Sequence, residues 1–379
     1  MGSGFTVQGS QVQNSGLVKV NNKEQPSTWE CLRKKEKGME RTVLGKTGIE
    51  VKRLGLGGIP IQRVGETQAV ETVLHAVEQG VDFIDTARRY TTSERRIGKA
   101  LHQTSKRVIV ASKSPRRSSD GIRADIEVSL RELQRDFIDL YQCHFVRDDQ
   151  DYEQVISSKG ALHGLIRAKQ EGLIGHIGVT SHGLDLVDRI VDDGLFETIM
   201  VCFSFLEPLA REKIIPKAIE RQIGVIGMKP FSGGVIDNAK LALKYVLSQP
   251  AIVVLAGVEQ KELFDVNWEV YQGSYELDDE EERKIAEIRK AYERSFCRRC
   301  NYCQPCTEEI PIQTILGIRS MVKRMGKTIL RQGWSAEAIE KARHCVECGE
   351  CMSRCPYQLP IPDLIKETLV WVDEQLKSS

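Results

Sequence analysis

The sequence lacks the features that place a protein in a membrane or on nucleic acid. Its 379 residues contain no continuous apolar run of about 18 residues, so we predict no transmembrane span. The 54 Lys and Arg nearly balance the 53 Asp and Glu, and a formal net charge of +1 gives no electrostatic case for binding nucleic acid or an anionic membrane. The N-terminal residues also lack the apolar core of a secretory signal. We therefore expect a cytoplasmic protein.

Cysteine usage excludes a small secreted domain built on disulfides. Cys31, Cys143 and Cys202 are scattered along the chain, whereas the other eight cysteines lie close together near the C-terminus. Disulfide frameworks belong mostly to short exported chains, and this chain is long and shows no export signal. Thiolates at short, regular spacing in a reducing compartment are typical of metal ligands. The C-terminal region is therefore predicted to bind metal.

Residues 1–40 are polar, and we predict a flexible leader there. Over residues 41–275, short runs of Val, Ile and Leu alternate with amphipathic stretches such as 66–79 and 120–135. The eight predicted strands are Leu54–Gly57, Asp82–Asp85, Val108–Ala111, Ile138–Gln142, His176–Val179, Thr198–Cys202, Gly224–Met228 and Ile252–Ala256. Eight strand–helix units of this size predict an α/β fold, a closed (β/α)8 TIM barrel. An open doubly wound sheet is the alternative, although its GxGxxG fingerprint is missing.

A second domain follows the barrel. Residues 276–294 are highly charged, with acidic residues in the first turn, and predict a linker helix. Residues 295–379 are predicted to form a small α-helical domain that carries the eight cysteines. Apolar positions recur between the two cysteine groups, and a further helical segment is expected near 335–343.

The cysteine spacing predicts two 4Fe-4S clusters. The second group, Cys345-x2-Cys348-x2-Cys351-x3-Cys355-Pro356, has the spacing of the bacterial ferredoxin run, in which the fourth cysteine serves the other cluster. The first group contains four cysteines at successive intervals of three. We infer two ligand sets: Cys297, Cys300 and Cys303 with Cys355, and Cys345, Cys348 and Cys351 with Cys306. A pair of zinc sites is the alternative, but zinc sites usually separate two Cx2C pairs.

Polar residues able to move protons lie at the ends of three consecutive predicted strands. Asp85 ends the second strand and Tyr90 follows it, the third strand runs into Lys113, and the fourth runs into His144. In a TIM barrel these positions meet at the C-terminal face, where catalysis takes place. An ammonium group beside a phenol favours the phenolate, so we expect Lys113 to lower the pKa of Tyr90. Tyr90 would then act as the general acid for a developing alkoxide, with His144 orienting the carbonyl.

The motifs around these four residues resemble the aldo-keto reductase family. Residues 82–101, DFIDTARRYTTSERRIGKAL, match a family pattern, and VIVASKS and LYQCH carry the lysine and the histidine. The resemblance covers residues 41–268 and implies a catalytic tetrad of Asp85, Tyr90, Lys113 and His144 with a nicotinamide cofactor, NADP or NAD. Residues 295–365 resemble α-helical ferredoxin domains, and the whole chain resembles the subgroup that carries such a C-terminal module.

The same resemblance implies a set of cofactor-binding residues in the loops after the strands. They are Gly57, Gly58, Ile59, Thr180, Ser181, Met228, Lys229, Gly257, Val258 and Asn267. Two positions depart from the family. Met200 stands where a glutamine commonly binds the carboxamide, and Leu263 stands where an arginine often binds the 2′-phosphate of NADP. The choice between NADP and NAD therefore stays open.

The leading hypothesis is a nicotinamide-dependent oxidoreductase that reduces a small carbonyl compound or oxidises the corresponding alcohol. The clusters would relay electrons, possible partners being electron-transfer proteins, or stabilise their domain. One alternative is a redox-sensing or partner-binding protein with little turnover, and another is an electron-transfer subunit that uses the barrel as a scaffold. Cys143 lies beside His144, but we interpret it as a buried bystander because free cysteine is among the most buried residue types.

Overall fold

A closed barrel of eight parallel strands forms the main body of the protein. The computed structural model describes Met1, residues 35–36 and residues 39–377, so residues 2–34 of the predicted leader lie outside the described part. The barrel strands, β1 to β8 in chain order, are Leu54–Gly57, Phe83–Asp85, Ile109–Ser114, Ile138–Val146, Ile174–Ser181, Thr198–Cys202, Gly224–Met228 and Ile252–Ala256. Strand β8 pairs with β1 to close the barrel. The predicted (β/α)8 fold is confirmed.

Helices follow the strands and cover the outside of the barrel. Apart from a short π-helical turn at Ala210–Ile214 and a 3-10 turn at Pro60–Arg63, they are Glu66–Gln79, Ser93–Leu101, Ser119–Leu133, Asp149–Ile156, Ala161–Gln170, Leu184–Asp193, Ile215–Glu220, Ala239–Leu247 and Lys261–Gln272. Two predicted helices are recovered within two residues, as Glu66–Gln79 and Ser119–Leu133. Their buried faces carry Val, Ile, Leu and Ala, which pack against the strands.

A small antiparallel sheet closes the N-terminal end of the barrel. It consists of the strands Lys35–Glu36, Met39–Val43 and Glu50–Lys52, so the leader boundary predicted at residue 40 falls inside a strand. Side chains from this segment and from the barrel interior form one apolar cluster, which includes Leu44, Ile49, Val51, Phe83, Leu140, Met200, Ile226 and Val253. This end of the barrel is packed, which leaves the opposite, C-terminal end for a binding site.

The C-terminal module is helical and has its own hydrophobic core. The helix Asp279–Tyr292, with a capping box at Asp278, leads into it where the charged linker helix was predicted. The other elements are the helices Ile312–Leu316, Ile318–Met325, Trp334–Ala342, Glu350–Ser353 and Ile361–Lys377 and the 3-10 turn Lys327–Leu330. The core includes Ile312, Ile315, Ile318, Ile339, Ile361, Ile365 and Val372.

The module is docked on the C-terminal face of the barrel. The Tyr302 hydroxyl accepts a hydrogen bond from the backbone N–H of Asp185, in the first turn of the helix Leu184–Asp193 that follows β5, at 3.0 Å. Ser320 donates to the carbonyl of Gly233 in the loop after β7, at 2.6 Å. Arg289, on the linker helix, donates to the carbonyl of Phe205 after β6, at 2.7 Å. The cysteine-bearing domain therefore lies beside the end of the barrel where the tetrad was predicted. No helix in the described part of the chain is long and apolar enough to span a membrane.

Candidate active site and cluster sites

The four tetrad residues come together at the C-terminal end of β2, β3 and β4. The Lys113 ammonium donates to Asp85 Oδ1 at 2.5 Å and to the carbonyl of Thr86 at 2.7 Å. The same ammonium lies 4.9 Å from the centre of the Tyr90 ring, and the Tyr90 and His144 rings meet edge to face at 5.8 Å. Strands β3 and β4 extend beyond the predicted ends, to Ser114 and Val146, so Lys113 and His144 lie on the strands themselves.

The buried Asp85–Lys113 pair fixes the charges in the site. Both residues are almost fully buried, at 3% and 1% exposure. Burial alone would lower the pKa of Lys113, but Asp85 and Tyr90 together outweigh it and raise that pKa, so the amine is charged at neutral pH. Gln142 adds a hydrogen bond to Asp85 Oδ2 at 3.1 Å. Each partner of the pair is thereby hydrogen-bonded, as a buried charge requires.

The pKa of Tyr90 corrects an expectation from the sequence. Burial is the largest effect and raises this pKa, while Lys113 acts in the opposite direction without overcoming it. Tyr90 is therefore a protonated phenol at neutral pH. Burial and the positive charges of Lys113 and Arg89 hold the pKa of His144 well below its usual range, so the imidazole is neutral. The site thus holds one neutral phenol and one neutral imidazole beside a fixed ammonium, which suits proton donation to an oxygen.

A cleft of about 420 Å³ opens beside the tetrad at the same end of the barrel. Asp85 and Tyr90 line it, and so do eight of the ten cofactor-binding residues implied by the family resemblance: Gly57, Gly58, Ile59, Met228, Lys229, Gly257, Val258 and Asn267. The loops that frame it approach each other closely, as the space at Gly257 shows: a Cβ added there would lie only 2.8 Å from Pro60. The volume of the cleft, the glycines in its lining and its position beside Tyr90 fit a nicotinamide nucleotide.

The remaining two residues of that set lie outside the lining of the cleft. Thr180 and Ser181 are each 2% exposed. The Thr180 hydroxyl accepts a hydrogen bond from the N–H of Phe145 at 2.7 Å, and the Ser181 hydroxyl accepts one from the N–H of Gly183 at 3.3 Å. Both hydroxyls can still donate a hydrogen bond. The two departures from the family, Met200 and Leu263, do line the cleft.

The eight module cysteines divide into two groups of four around two cavities. The inner group, Cys297, Cys300, Cys303 and Cys355, lines one cavity, and the outer group, Cys306, Cys345, Cys348 and Cys351, lines the other. The grouping matches the two predicted ligand sets. A Cβ on Gly183 would lie 3.3 Å from the carbonyl oxygen of Cys300, so the inner group lies next to the barrel. Cys348, in the outer group, is exposed.

The sulfurs within each group are spread apart in this structure. Among the described residues, no three His, Cys, Asp or Glu side chains come close enough to share a single metal ion. A zinc ion draws its four ligands to one centre, whereas a 4Fe-4S cube offers each cysteine a different iron. Cys143, the bystander of the sequence analysis, is fully buried, and burial raises the pKa of its thiol to about 12. It carries no nucleophilic thiolate at neutral pH.

Three further residues around the site were not predicted from the sequence. Gln142 supports Asp85 and precedes His144 by two positions on β4, so strand alternation could have identified it. His182 follows β5 immediately, and polar residues at the C-terminal ends of barrel strands commonly belong to the active site. Arg299 lies between two predicted cluster ligands but points toward the loops after β6 and β7, and no sequence pattern indicated this.

Comparison with known proteins agrees with this geometry. The aldo/keto reductase family profile matches residues 53–241, and a 4Fe-4S dicluster domain profile matches residues 296–360. An L-galactose dehydrogenase from Arabidopsis thaliana is 30% identical over 219 residues, which are 53% of this chain and 68% of that protein. An aldo-keto reductase from Bacillus subtilis is 30% identical over 204 residues, 49% of this chain and 60% of that protein.

Solved structures show the same fold. An aldo-keto reductase from Bacillus halodurans superposes with a TM-score of 0.57 at 24% identity, covering 66% of this chain and 96% of its own. A glycerol dehydrogenase from Gluconobacter oxydans gives a TM-score of 0.53 at 21% identity, with 63% and 92% coverage. The chain is an oxidoreductase that belongs to the aldo/keto reductase family, a family that uses nicotinamide cofactors, and it carries a 4Fe-4S dicluster domain at its C-terminus.

Proposed function

We propose that the protein interconverts a small carbonyl compound and its alcohol, with Tyr90 as the proton donor to the carbonyl oxygen. The observation that carries this proposal is the buried Lys113 ammonium, held by Asp85 and placed 4.9 Å from the Tyr90 ring at the edge of the cleft. A bound nicotinamide would supply the hydride. We also propose three domain boundaries: the barrel spans residues 41–275, the linker helix spans 276–294, and the cluster domain spans 295–379.

Each tetrad residue has a distinct task in this proposal. Tyr90 gives its phenolic proton to the oxygen of the substrate as negative charge develops there, and Lys113 stabilises the phenolate that remains. Asp85 keeps the lysine charged and in place. Neutral His144 can donate a hydrogen bond to the same oxygen and orient the carbonyl. The reverse reaction, oxidation of the alcohol, uses the same groups with the proton moving to Tyr90.

Replacing Tyr90 with Phe tests this assignment, because Phe keeps the ring and removes only the hydroxyl. We expect the rate of para-nitrobenzaldehyde reduction, followed by the loss of reduced-nicotinamide absorbance, to fall by at least about a hundredfold. NADPH binding, measured by calorimetry, should stay unchanged. Unchanged turnover would show that another group donates the proton, and little turnover in the wild type would favour the redox-sensing alternative.

We also propose that the module holds two 4Fe-4S clusters, one in each cysteine-lined cavity, and that they bring one-electron chemistry to the barrel. The position of the inner group beside Gly183 and the exposure of Cys348 in the outer group support this role. Anaerobic analysis should give about eight irons with matching sulfide per chain. A relay predicts that a low-potential reductant drives substrate reduction when oxidised nicotinamide is present, because two electrons from the clusters and one proton would regenerate the reduced nicotinamide. A structural role predicts no such turnover in a protein that retains all its iron.

A further inference from the structure

The strand that carries His144 is irregular at that residue. Up to Cys143, β4 pairs with β5 in regular parallel register, but the next pair joins Val146 to Ser181, so β4 has one more residue than β5 between these points. The extra residue makes a β-bulge at His144 and Phe145. Phe145 has a φ of +52°, a conformation that a non-glycine residue keeps only where its surroundings hold it. The groups that hold the bulge therefore also hold the backbone of His144.

Arg117, in the loop after β3, binds the backbone of this bulge. Its Nη2 donates to the carbonyl oxygens of His144 at 3.1 Å and of Phe145 at 2.8 Å. Regular pairing of β4 with β3 ends at Cys143, so the guanidinium supplies hydrogen bonds on the β3 side just beyond the paired residues. On the β5 side, the Thr180 hydroxyl accepts a hydrogen bond from the N–H of Phe145 at 2.7 Å. The bulge is thus held from both neighbouring strands.

Asp151 keeps the guanidinium of Arg117 in place. Nε of Arg117 donates to Oδ1 at 2.7 Å and Nη2 donates to Oδ2 at 2.9 Å, which is the bidentate geometry of a strong arginine–carboxylate pair. Burial would raise the pKa of Asp151, but the hydrogen bonds from Arg117 and from the N–H of Arg147 outweigh it and lower that pKa, so the carboxylate is ionised at neutral pH. The pair is formed before any substrate binds.

The direction of the His144 ring depends on this backbone. A functional histidine is commonly oriented through its second ring nitrogen, which bonds to a carbonyl or a carboxylate. In the described part of the chain, Nδ1 of His144 is buried and has no protein partner. The ring meets Tyr90 edge to face at 5.8 Å, a contact that needs the ring to leave the strand in the right direction. The backbone conformation at the bulge therefore sets where the imidazole points.

We propose that Arg117 is a positioning residue for the proposed reaction: it fixes the backbone from which His144 projects, and so the direction of the hydrogen bond that His144 gives to the substrate oxygen. This inference rests on the proposed function and adds a residue that is not part of the cleft lining. Asp151 acts one step further away, because it holds Arg117. Thr180 can still donate its own hydroxyl proton to a nicotinamide while it accepts from Phe145.

Arg117→Lys tests the positioning role, because lysine keeps a positive charge opposite Asp151 but loses the planar fork that reaches the carboxylate and both carbonyls at once. We expect kcat for para-nitrobenzaldehyde at saturating NADPH to fall by about tenfold, with little change in KM, since misplacing an orienting group is costly. In a His144→Ala background, the same change should lower kcat by less than about twofold, because the group that Arg117 orients is gone. Arg116→Gln is the matched control: this neighbouring side chain is 65% exposed, and its loss should leave kcat unchanged.

A crystal structure of Arg117→Lys gives a readout that needs no turnover. We expect Phe145 to leave its positive φ and the His144 ring to lose its edge-to-face contact with Tyr90. Retention of both features would overturn the proposal, and so would an equal fall of kcat in the wild-type and His144→Ala backgrounds. If Arg117→Lys does not fold, Arg117→Gln combined with Asp151→Asn replaces the ion pair with two neutral amides and takes its place. Absent turnover in the wild type would refute the proposed reaction, and the variant structure would still show whether Arg117 holds His144.

Discussion

Replacing Lys113 with Met removes the one cation that, in the described part of the chain, forms an ion pair with Asp85, and it tests the electrostatic core of the site. Methionine fills much of the same volume, but Asp85 would keep only its hydrogen bond from Gln142 at 3.1 Å. Removing one partner of a buried ion pair typically costs about 3–5 kcal/mol. For a barrel of this size, where 1 kcal/mol corresponds to about 2–4 °C, we expect the melting midpoint to fall by roughly 6–20 °C.

A second variant separates this loss of stability from the loss of catalysis. Burial raises the pKa of Asp85, and without Lys113 nothing of comparable strength opposes it. In the double variant Lys113→Met with Asp85→Asn, the neutral amide needs no counter-ion, so most of the lost stability should return. Activity should not return, because Tyr90 still lacks its ammonium partner. Both variants should reduce para-nitrobenzaldehyde at least about a hundredfold more slowly than the wild type.

The assay follows the barrel by far-ultraviolet circular dichroism and the module by its visible absorbance, since the two parts have separate hydrophobic cores. An unchanged melting midpoint in Lys113→Met would show that the pair is not the buried charge couple described above. Recovery of activity together with stability in the double variant would show that Lys113 has only a structural role. Either result would refute the argument from electrostatics to mechanism.

Two further outcomes follow from the structure. Cys355→Ser should remove the inner cluster and Cys306→Ser the outer one, so each variant should keep about four irons by iron analysis. The control variant Cys143→Ser should keep the wild-type iron content. Loss of all iron in both cluster variants would show that the two sites do not form independently. Gly98→Ala should lower the free energy of unfolding by about 1–3 kcal/mol in chemical denaturation, because its Cβ would lie 2.6 Å from the Glu132 carbonyl oxygen. An unchanged denaturation midpoint would mean that the helices Ser93–Leu101 and Ser119–Leu133 can move apart at no cost.

The barrel could be predicted because its signal is local and repeats eight times. Each strand is a short run of β-branched and aliphatic residues, and each is followed by an amphipathic stretch. The hydrophobic periodicity and the order of these segments along the chain were therefore enough to predict the fold. The tetrad was equally accessible, since Asp85, Lys113 and His144 lie at strand ends that a barrel brings together. Strand ends were less accurate: β4 continues to Val146, four residues beyond the predicted end, because pairing with β5 extends to Val146 and Ser181.

What the sequence could not provide was the outcome of competing effects in three dimensions. The pKa of Tyr90 depends on burial against the charge of Lys113, and only coordinates show that burial is the larger effect. The docking of the module depends on isolated contacts such as Tyr302 with Asp185, which leave no periodic pattern. The position of Arg299 could not be predicted either, because a basic residue between two cysteines is usually solvated.

The placement of the two cysteine groups bears on why a hydride-transferring barrel should carry clusters. If the clusters served only to stabilise the module, both groups could lie anywhere within its core, and neither would need to approach the barrel. Instead the inner group lies against the loop after β5, and the outer group includes the exposed Cys348. This order, from the surface to the outer group to the inner group to the barrel, is the arrangement that the proposed electron path requires. A Cβ on Gly233, which lines the cleft, would lie 3.2 Å from Arg299 Nη1, so the segment between two inner-group cysteines approaches the residues that form the cleft.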